Sequence, residues 1–185
     1  DGIPMPEMEM KIVDQNTKTA VSAGKEGILF VRGPSQFVGY YQRPDLWEKS
    51  HDQEWFDTGD LARMDEEGYI RIVGRTKDII IRGGENIPVG DVEEVLFGHP
   101  KIKEASVVAV PDQRLGERAC ACVVLKGPDN FTLEELQSWF DRSKMAKQYW
   151  PEKVEIFEHF PKTPAGKVQK YILREIVQAR SRKNT

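Results

Sequence analysis

The sequence predicts an α+β fold in which helices pack against a small mixed or antiparallel sheet, preceded by a β-rich subdomain. Two observations predict it. Residues before position 74 form short alternating or β-branched segments bounded by turn residues, whereas strands and helices alternate beyond Pro88. The stretch 74–88 lies between these parts and contains the β-branched run Ile79–Ile81, followed by two glycines. We interpret this stretch as the hinge between two structural units.

The composition favours a globular protein. The 185 residues are 39% hydrophobic and 31% charged, with a formal net charge of −3. No apolar run approaches the ~20 residues that span a bilayer. The basic residues are dispersed, which argues against nucleic acid as a partner. Cys120 and Cys122 lie in an apolar strand pattern, so we expect buried, reduced thiols and a cytoplasmic location. The histidines lack ligand-spaced companions, and we expect no metal ligand in this chain.

In the first part, Trp55 and Phe56 are expected to pack against a turn formed by Thr58–Asp60. The segment Asp65–Gly68 is a hairpin signal, because its turn residues separate two apolar arms. The other predicted elements are strands over Glu9–Asp14, Gly27–Arg32 and Tyr69–Val73 and one helical turn over Pro44–Glu48.

In the second part, the run Ile79–Ile81 predicts a strand that is covered on both faces and is ended by Gly83-Gly84. Pro88 begins a helix, because proline at the first helical position gives up an amide that has no partner there. Thr132 and Glu135 form a capping box for a further helix. The remaining predicted elements are strands over Ala105–Val110, Ala119–Leu125 and Val154–Phe157, a polar loop over Pro111–Arg118, and a last helix over Val168–Arg182.

The loop Pro161–Lys167 contains two prolines and a glycine, and it delivers Lys167 at the start of the predicted last helix. Helix N-termini attract anions through their free amides and the helix dipole, so phosphate or carboxylate is the natural target of this lysine. An ordinary exposed lysine is the alternative interpretation. The loop is not a P-loop, since Val168 stands where that motif requires Ser or Thr.

Two further side chains suit a nucleotide. The carboxylate of Asp60 could accept hydrogen bonds from a sugar diol, and the guanidinium of Arg75 offers a planar fork for hydroxyl or phosphate oxygens. Taken separately, Asp60 could equally satisfy local backbone amides, and Arg75 could be a surface ion-pair partner. Their order and spacing relative to other motifs give the stronger indication.

These motifs form an ordered series along nearly the whole chain. They are Arg32-Gly33-Pro34 with Gly39-Tyr40-Tyr41, Trp55-Phe56-Asp57-Thr58-Gly59-Asp60, Gly74-Arg75-Thr76-Lys77-Asp78, Gly83-Gly84-Glu85-Asn86-Ile87 and Pro161-Lys162-Thr163-Pro164-Ala165-Gly166-Lys167. In this series the chain resembles the adenylate-forming superfamily. Among its members, the chain is most similar to acyl-CoA synthetases that activate short- or medium-chain fatty acids or related carboxylates.

The resemblance implies a two-step reaction. A carboxylate attacks ATP to give an acyl-adenylate and pyrophosphate, and the thiol of coenzyme A then displaces AMP. By position, Asp60 matches the aspartate that holds the ribose hydroxyls and Arg75 the arginine that contacts the nucleotide. Lys167 matches the lysine that neutralises charge developing during adenylation. The implied cofactors are ATP, coenzyme A and Mg²⁺, and no Mg²⁺ ligand is identified in this chain.

The same resemblance implies a mobile lid. Lys77 matches the hinge position, while Gly83 and Gly84 match the loop that lines the pantetheine tunnel in the second step. Rotation about Lys77 would exchange this loop and Lys167 at one active site.

The implied domain organisation assigns residues 1–76 to the β-rich end of a large N-terminal AMP-binding domain and residues 77–185 to a C-terminal α+β lid. The family's phosphate loop and most of its acyl pocket belong before Asp1. The chain is therefore expected to be a fragment that is inactive in adenylation alone and has its own N-terminal domain as a partner. Beetle luciferases and plant coumarate ligases usually carry lysine where Ile81 stands, which disfavours those activities.

Two other classes of function stay open. Lids of related peptide-synthetase adenylation domains present acyl-adenylates to a carrier protein, although the Gly-Gly-Glu-Asn form favours free coenzyme A. A stand-alone nucleotide-binding regulator would need a complete ATP site, and only part of one is recognised in this sequence.

Overall fold

The computed structural model describes residues 2–128 and 130–183. The chain divides into two compact units, Asp1–Lys77 and Asp78–Thr185. The first is built mainly from strands, and the second combines helices with a mixed sheet. The predicted α+β class is therefore confirmed.

The first unit is an antiparallel sheet whose central strand pairs with three others. The elements are β1 (Glu9–Val13), β2 (Glu26–Arg32), α1 (Pro44–Lys49), β3 (His51–Asp52), β4 (Trp55–Met64) and β5 (Ile70–Arg75). The strand order is β1-β2-β4-β3, and β5 also pairs with β4. The buried side chains include Ile12, Leu29, Ala62 and Ile70.

The predicted hairpin at Asp65–Gly68 is confirmed, because Met64 pairs with Ile70 across it. The carboxylate of Asp65 accepts hydrogen bonds from the backbone amides of Glu67 and Tyr69, at 3.0 and 2.8 Å. This is the local side-chain bond that makes aspartate favourable at the start of a turn.

The second unit is organised around one strand that has neighbours on both sides. The elements of this unit are β6 (Ile80–Arg82), β7 (Glu85–Ile87), α2 (Val89–Phe97), β8 (Ile102–Asp112), β9 (Gly116–Leu125), α3 (Leu133–Arg142), β10 (Lys153–Phe157) and α4 (Lys170–Lys183). The organising strand is β9, which pairs antiparallel with β8 along its length and parallel with β10, while β6 joins it through the register pair Arg82 and Gly116.

Helices cover both faces of this sheet. On one face, Leu96 of α2 and Leu136 and Phe140 of α3 pack against alternate residues of β8 and β9. On the other face, Leu173 and Val177 of α4 pack against the intervening residues. The alternation of side chains along a strand therefore divides the core into two layers.

The cysteines follow this alternation. Cys120 and Cys122 are free, fully buried and on the face that α4 covers, as the strand pattern predicted. A hydrogen bond with the Cys120 thiol, together with burial, raises the pKa of Cys122. Cys122 is therefore held as a neutral thiol.

Two element predictions are wrong in detail. The strand around Ile80 does not have both faces covered: Ile80 is fully buried, but the side chain of Ile81 is 50% exposed. The segment Pro111–Arg118 is not a long loop, because β8 and β9 continue pairing as far as Asp112 and Gly116 and leave only three residues between them. The apolar runs in the sequence identified the central residues of β8 and β9, whereas backbone pairing of these strands continues into the polar residues that follow or precede the runs.

The capping box predicted at the start of α3 is only partly formed. The hydroxyl oxygen of Thr132 accepts a hydrogen bond from the amide of Glu135 at 3.3 Å, as the capping-box motif predicted. The Glu135 carboxylate, however, pairs with Lys101 at 2.9 Å, linking α3 to the start of β8. The cap is therefore present on the Thr132 side, and the glutamate makes a tertiary contact.

The longest helix among the described residues, α4, has 14 residues and several charged side chains. Within the described parts of the chain, no helix has the length and apolar character that crossing a membrane requires.

Replacing Thr132 with alanine removes the acceptor for the first-turn amide of α3. We expect Thr132→Ala to lower the free energy of unfolding by about 1 kcal/mol. Urea titration followed by tryptophan fluorescence measures the change, since Trp139 lies on this helix. Ser138→Ala, at an exposed position of the same helix, is the control and should change stability little. Equal effects of the two substitutions would contradict the capping role.

Candidate functional site

Asp60 lies in an interruption of the central strand of the first unit. Asp57 and Leu61 of β4 are register partners of Phe30 and Ile28, so three residues of β4 stand opposite Leu29 alone. This is a β-bulge, and it replaces the predicted Thr58–Asp60 turn. Bulges re-aim the side chains that follow them, and Asp60 is the last residue of this one.

Local hydrogen bonds hold the bulge in shape. The Thr58 hydroxyl donates to the Leu29 carbonyl at 2.9 Å and accepts from the Asp60 amide at 3.1 Å. The Asp57 carboxylate accepts from the Gly59 amide at 2.8 Å. Gly59 has φ of +69°, a conformation that glycine adopts without steric cost. The shape of the bulge therefore accounts for Asp57, Thr58 and Gly59.

Arg75 is the register partner of Asp60 on the neighbouring strand β5. Its Nε lies 2.9 Å from Oδ1 of Asp60, and the two side chains are 42% and 23% exposed. The structure thus brings together two residues that are 15 positions apart in sequence and that the sequence analysis selected separately. One oxygen of the carboxylate and the terminal nitrogens of the guanidinium are not part of this contact, and such groups can hydrogen-bond a polar ligand.

An open depression of about 350 Å³ adjoins the bulge. Part of its wall is aromatic, since Tyr40 and Phe56 line it, and the ring of Phe37 packs against both with centroid distances of 5.0 and 5.1 Å. The residues lining the depression are Tyr40, Leu46, Lys49, Ser50, Phe56, Asp57, Thr58 and Gly59. The motif around Tyr40 and the Thr-Gly-Asp motif therefore share one surface of the first unit.

Gly83 and Gly84 form the two-residue turn of a hairpin that the sequence analysis did not predict. Arg82 pairs with Glu85 across them, and the strand predicted to end at the glycines turns back as β7. Their φ angles are +60° and +89°, and hairpin turns of two residues prefer two such positions. The Gly83 amide donates to the Leu115 carbonyl at 2.8 Å, which joins this turn to the β8–β9 turn.

The space beside the two glycines differs. A Cβ on Gly83 would lie 3.4 Å from the Leu115 side chain, whereas a Cβ on Gly84 would meet no atom within 4 Å. The surface over Gly84 is therefore open to a ligand or another backbone.

Lys167 lies in a closed loop before α4. The prediction that it lies at the helix N-terminus is wrong, because α4 begins three residues later, at Lys170. The Thr163 amide donates to the Lys167 carbonyl at 2.9 Å, and the Gly166 amide donates to the Thr163 carbonyl at 2.8 Å. The Lys167 amide donates to the Thr163 hydroxyl at 3.2 Å. The side chain of Lys167 is exposed on this compact loop.

Lys77 is the last residue of the first unit and is exposed, in a short 3₁₀ helix over Thr76–Asp78. The next residue, Asp78, pairs with Arg174 of α4 at 3.4 Å. The attachment to the second unit therefore begins directly after Lys77.

The candidate residues thus fall into separate groups. Asp60 and Arg75 form one pair in the first unit, whereas the glycine turn and the Lys167 loop are different loops of the second unit. Sequence reasoning missed the acidic residues Glu93 and Glu104, which pair with lysines beside the Lys167 loop. Each is a single glutamate in an ordinary helix or strand context, so no local signal marks it.

Within residues 2–128 and 130–183, no group of three or more His, Cys, Asp or Glu side chains is arranged to hold a metal ion. The described side chains therefore offer no cluster that would hold Mg²⁺ without the help of substrate phosphates.

Comparison with known proteins bears on the whole chain. Residues 91–167 match the family model of the AMP-binding enzyme C-terminal domain. The chain is 48% identical over 182 residues to the medium-chain fatty-acid–CoA ligase of Escherichia coli K12, covering 97% of this chain and 32% of that protein. It is 41% identical over 175 residues to the bovine mitochondrial medium-chain acyl-CoA ligase ACSF2, covering 94% of this chain and 28% of that protein.

Solved structures agree. ATP-bound MatB from Rhodopseudomonas palustris is 32% identical, with a TM-score of 0.87 over 96% of this chain and 35% of that one. The O-succinylbenzoate coenzyme A synthetase MenE from Bacillus subtilis, in complex with AMP, is 31% identical, with a TM-score of 0.83 over 94% of this chain and 34% of that one. The chain spans about a third of the length of the curated relatives it matches. The resemblance inferred from the ordered motifs is confirmed: residues 91–167 belong to the AMP-binding enzyme C-terminal domain family, and nearly the whole chain is similar to a part of adenylate-forming enzymes such as these.

Proposed function

We propose that this chain is part of an AMP-forming acyl-CoA synthetase that activates a fatty acid with ATP and transfers the acyl group to coenzyme A. The observation that carries the proposal is the pairing of Asp60 with Arg75 at 2.9 Å beside the bulge of β4. A carboxylate suits a ribose diol, and an adjacent guanidinium suits nucleotide oxygens. The pair is therefore proposed as the nucleotide-binding part of the site.

Lys167 is proposed as the catalytic residue of adenylation. The attack of a carboxylate on the α-phosphate concentrates negative charge, and an ammonium group aimed at that charge lowers the barrier. The exposed position of Lys167 on a closed loop is consistent with such a role, since the loop limits backbone motion while the side chain reaches outward.

The second unit is proposed as a lid that serves both half-reactions. Lys77 would be the hinge, and Gly83 and Gly84 would line the channel for the pantetheine arm. In domain terms, residues 1–76 are proposed as the end of the N-terminal AMP-binding domain and residues 77–185 as the lid. The N-terminal domain would be the obligatory partner, and the fragment alone is expected to be inactive in adenylation.

A medium-chain fatty acid is the proposed substrate, because two relatives with at least 41% identity are named as medium-chain ligases. A cytoplasmic location and a requirement for Mg²⁺ with ATP remain part of the proposal. The direct test supplies the full-length enzyme with fatty acids of different lengths, ATP and either coenzyme A or a holo carrier protein. Acyl-CoA formation supports the proposal, whereas loading of the carrier protein alone would replace it with the carrier-loading alternative.

Lys167→Ala in the full-length enzyme should slow adenylation by about 10²-fold or more, because it removes a charge aimed at the transition state. Pyrophosphate exchange measures this step. Thioester formation from supplied acyl-adenylate should survive. Lys126→Ala, at an exposed lysine after β9, is the control for loss of a positive charge. An equal fall in both half-reactions, with the fold intact, would show that the assigned role is wrong.

Gly84→Leu should obstruct the pantetheine arm, so acyl-CoA formation should collapse while pyrophosphate exchange continues. Gly68→Leu is a matched control for backbone strain: Gly68 has φ of +85°, close to the +89° of Gly84, and neither position has an atom within 4 Å of an added Cβ. Both variants should lose similar stability on heating, but only Gly84→Leu should lose thioester formation. Unchanged acyl-CoA turnover in Gly84→Leu would remove the assignment.

Lys77→Pro should trap one orientation of the lid, because proline holds φ near −65° and restricts Thr76 before it. We expect adenylation to be preserved and thioester formation to be lost. Lys77→Ala removes the side chain but keeps backbone freedom, and it should retain both half-reactions. Thermal melting of the same preparations checks the fold. Normal rates for both half-reactions in Lys77→Pro would show that the lid turns elsewhere.

A further inference from the structure

The loop that carries Lys167 is closed on itself. Lys162 and Val168 form an antiparallel bridge, and the Gln169 amide donates to the Pro161 carbonyl at 2.9 Å. With the Thr163 hydrogen bonds inside it, the segment 161–169 has its two ends joined and its turn fixed. Such a segment moves as one piece, so the position of Lys167 depends on what holds the piece against the rest of the unit.

Two ion pairs hold this piece, one at each end. At its start, Nζ of Lys162 lies 2.6 Å from a carboxylate oxygen of Glu104 on β8. Directly after it, Nζ of Lys170, the first residue of α4, lies 2.7 Å from a carboxylate oxygen of Glu93 on α2. The loop is therefore tethered to α2 and β8, which both contribute to the core layer that includes Leu96 and Phe140.

The second tether is the better anchored. The same oxygen of Glu93 accepts the Val107 amide at 2.7 Å and the Ser106 hydroxyl at 3.3 Å. This carboxylate therefore joins α2, β8 and the start of α4. The Lys170 and Glu93 side chains are 23% and 19% exposed, whereas those of Lys162 and Glu104 are 38% and 24% exposed. Partial burial weakens screening by salt, so each pair restrains geometry more than a fully exposed pair does.

We propose that Glu104 and Glu93 are positioning residues for adenylation, which act on Lys167 through Lys162 and Lys170. The inference rests on the proposed function, because it assigns the placement of the proposed catalytic lysine. An ammonium group aimed at a transition state must be placed closely, and a displacement of about 1 Å can reduce a rate by roughly 10²-fold. The carboxylates touch no reacting atom, and their effect is on the orientation of the loop.

The test uses the full-length enzyme with Glu104→Gln, Lys162→Gln and the charge-swapped pair Glu104→Lys with Lys162→Glu. Each single variant keeps a polar side chain of similar size but removes the ionic attraction. We expect kcat of pyrophosphate exchange to fall about tenfold, with KM for ATP unchanged. The fall is smaller than the roughly 10²-fold loss for a displacement of about 1 Å, because the loop is expected to move by less than that distance. The swapped pair should recover most of the rate.

Glu155→Gln is the matched control. Glu155 on β10 pairs with Arg180 of α4 at 2.8 Å, so this pair also links a strand to a helix but does not tether the loop. It should leave both half-reactions unchanged. Thioester formation from supplied acyl-adenylate should be unchanged in every variant.

Amide hydrogen exchange separates positioning from folding. In Glu104→Gln, the amides of Thr163 and Gly166 should keep their protection, because the hydrogen bonds inside the loop remain. Faster exchange at these amides together with the loss of rate would mean that the ion pair folds the loop, and it would overturn the proposal.

Lys167→Ala separates this inference from the proposed function. If Lys167→Ala abolishes adenylation but Glu104→Gln and Glu93→Gln leave it unchanged, the positioning role is wrong and the proposed function stands. If Lys167→Ala itself leaves adenylation unchanged, the catalytic assignment and the positioning role both fail. Glu93→Gln is expected to have the larger effect of the two glutamate variants, because Glu93 joins three elements.

Discussion

The second unit depends on the burial of both faces of β9. Ala119, Ala121 and Val123 contribute to one core layer, and Cys120, Cys122 and Val124 to the other. Small side chains at the first positions of this run let helices approach the sheet from both sides, and pairing with β8 and β10 satisfies the backbone. The loops that carry the candidate residues extend from this frame, so their positions follow from the packing of β9 against its neighbours.

Hydrophobic pattern predicted most of the elements of the fold but not the turns between them. The strand cores, the start of α3 at Thr132 and the helix after Pro88 were recognised, because burial periodicity and capping are local signals. The hairpin at Gly83-Gly84 was missed, because β7 has only three residues, of which Ile87 alone is buried. A strand this short is identified by its partner, and partners are not visible in a local pattern.

In the candidate site, too, local sequence signals identified individual residues but not the contacts between them. Asp60 and Arg75 were selected individually, but their contact depends on the cross-strand register of β4 and β5, which shifts between Leu61 and Ala62. Lys167 was selected as a candidate, but its loop was assigned to a helix N-terminus, because Pro and Gly mark a boundary without specifying which turn follows. The tethering glutamates were not recognisable at all, since an ion pair between distant elements is a product of tertiary packing.

The contact between Glu93 and the Val107 amide has a consequence for self-association. Among the described residues, β8 pairs with β9 alone, so its other edge has no strand partner, and such edges can pair with another strand. In the middle of this edge, the Glu93 carboxylate accepts the hydrogen bond of the Val107 amide. Near the end of β8, Pro111 has no amide hydrogen to donate. At the beginning of β8, the pairing register is irregular between Ile102 and Glu104. A second strand approaching this edge would not find the Val107 amide free, because the Glu93 carboxylate already accepts its hydrogen bond. The glutamate that joins α2, β8 and α4 thus also removes one of the donors that edge-to-edge strand pairing requires.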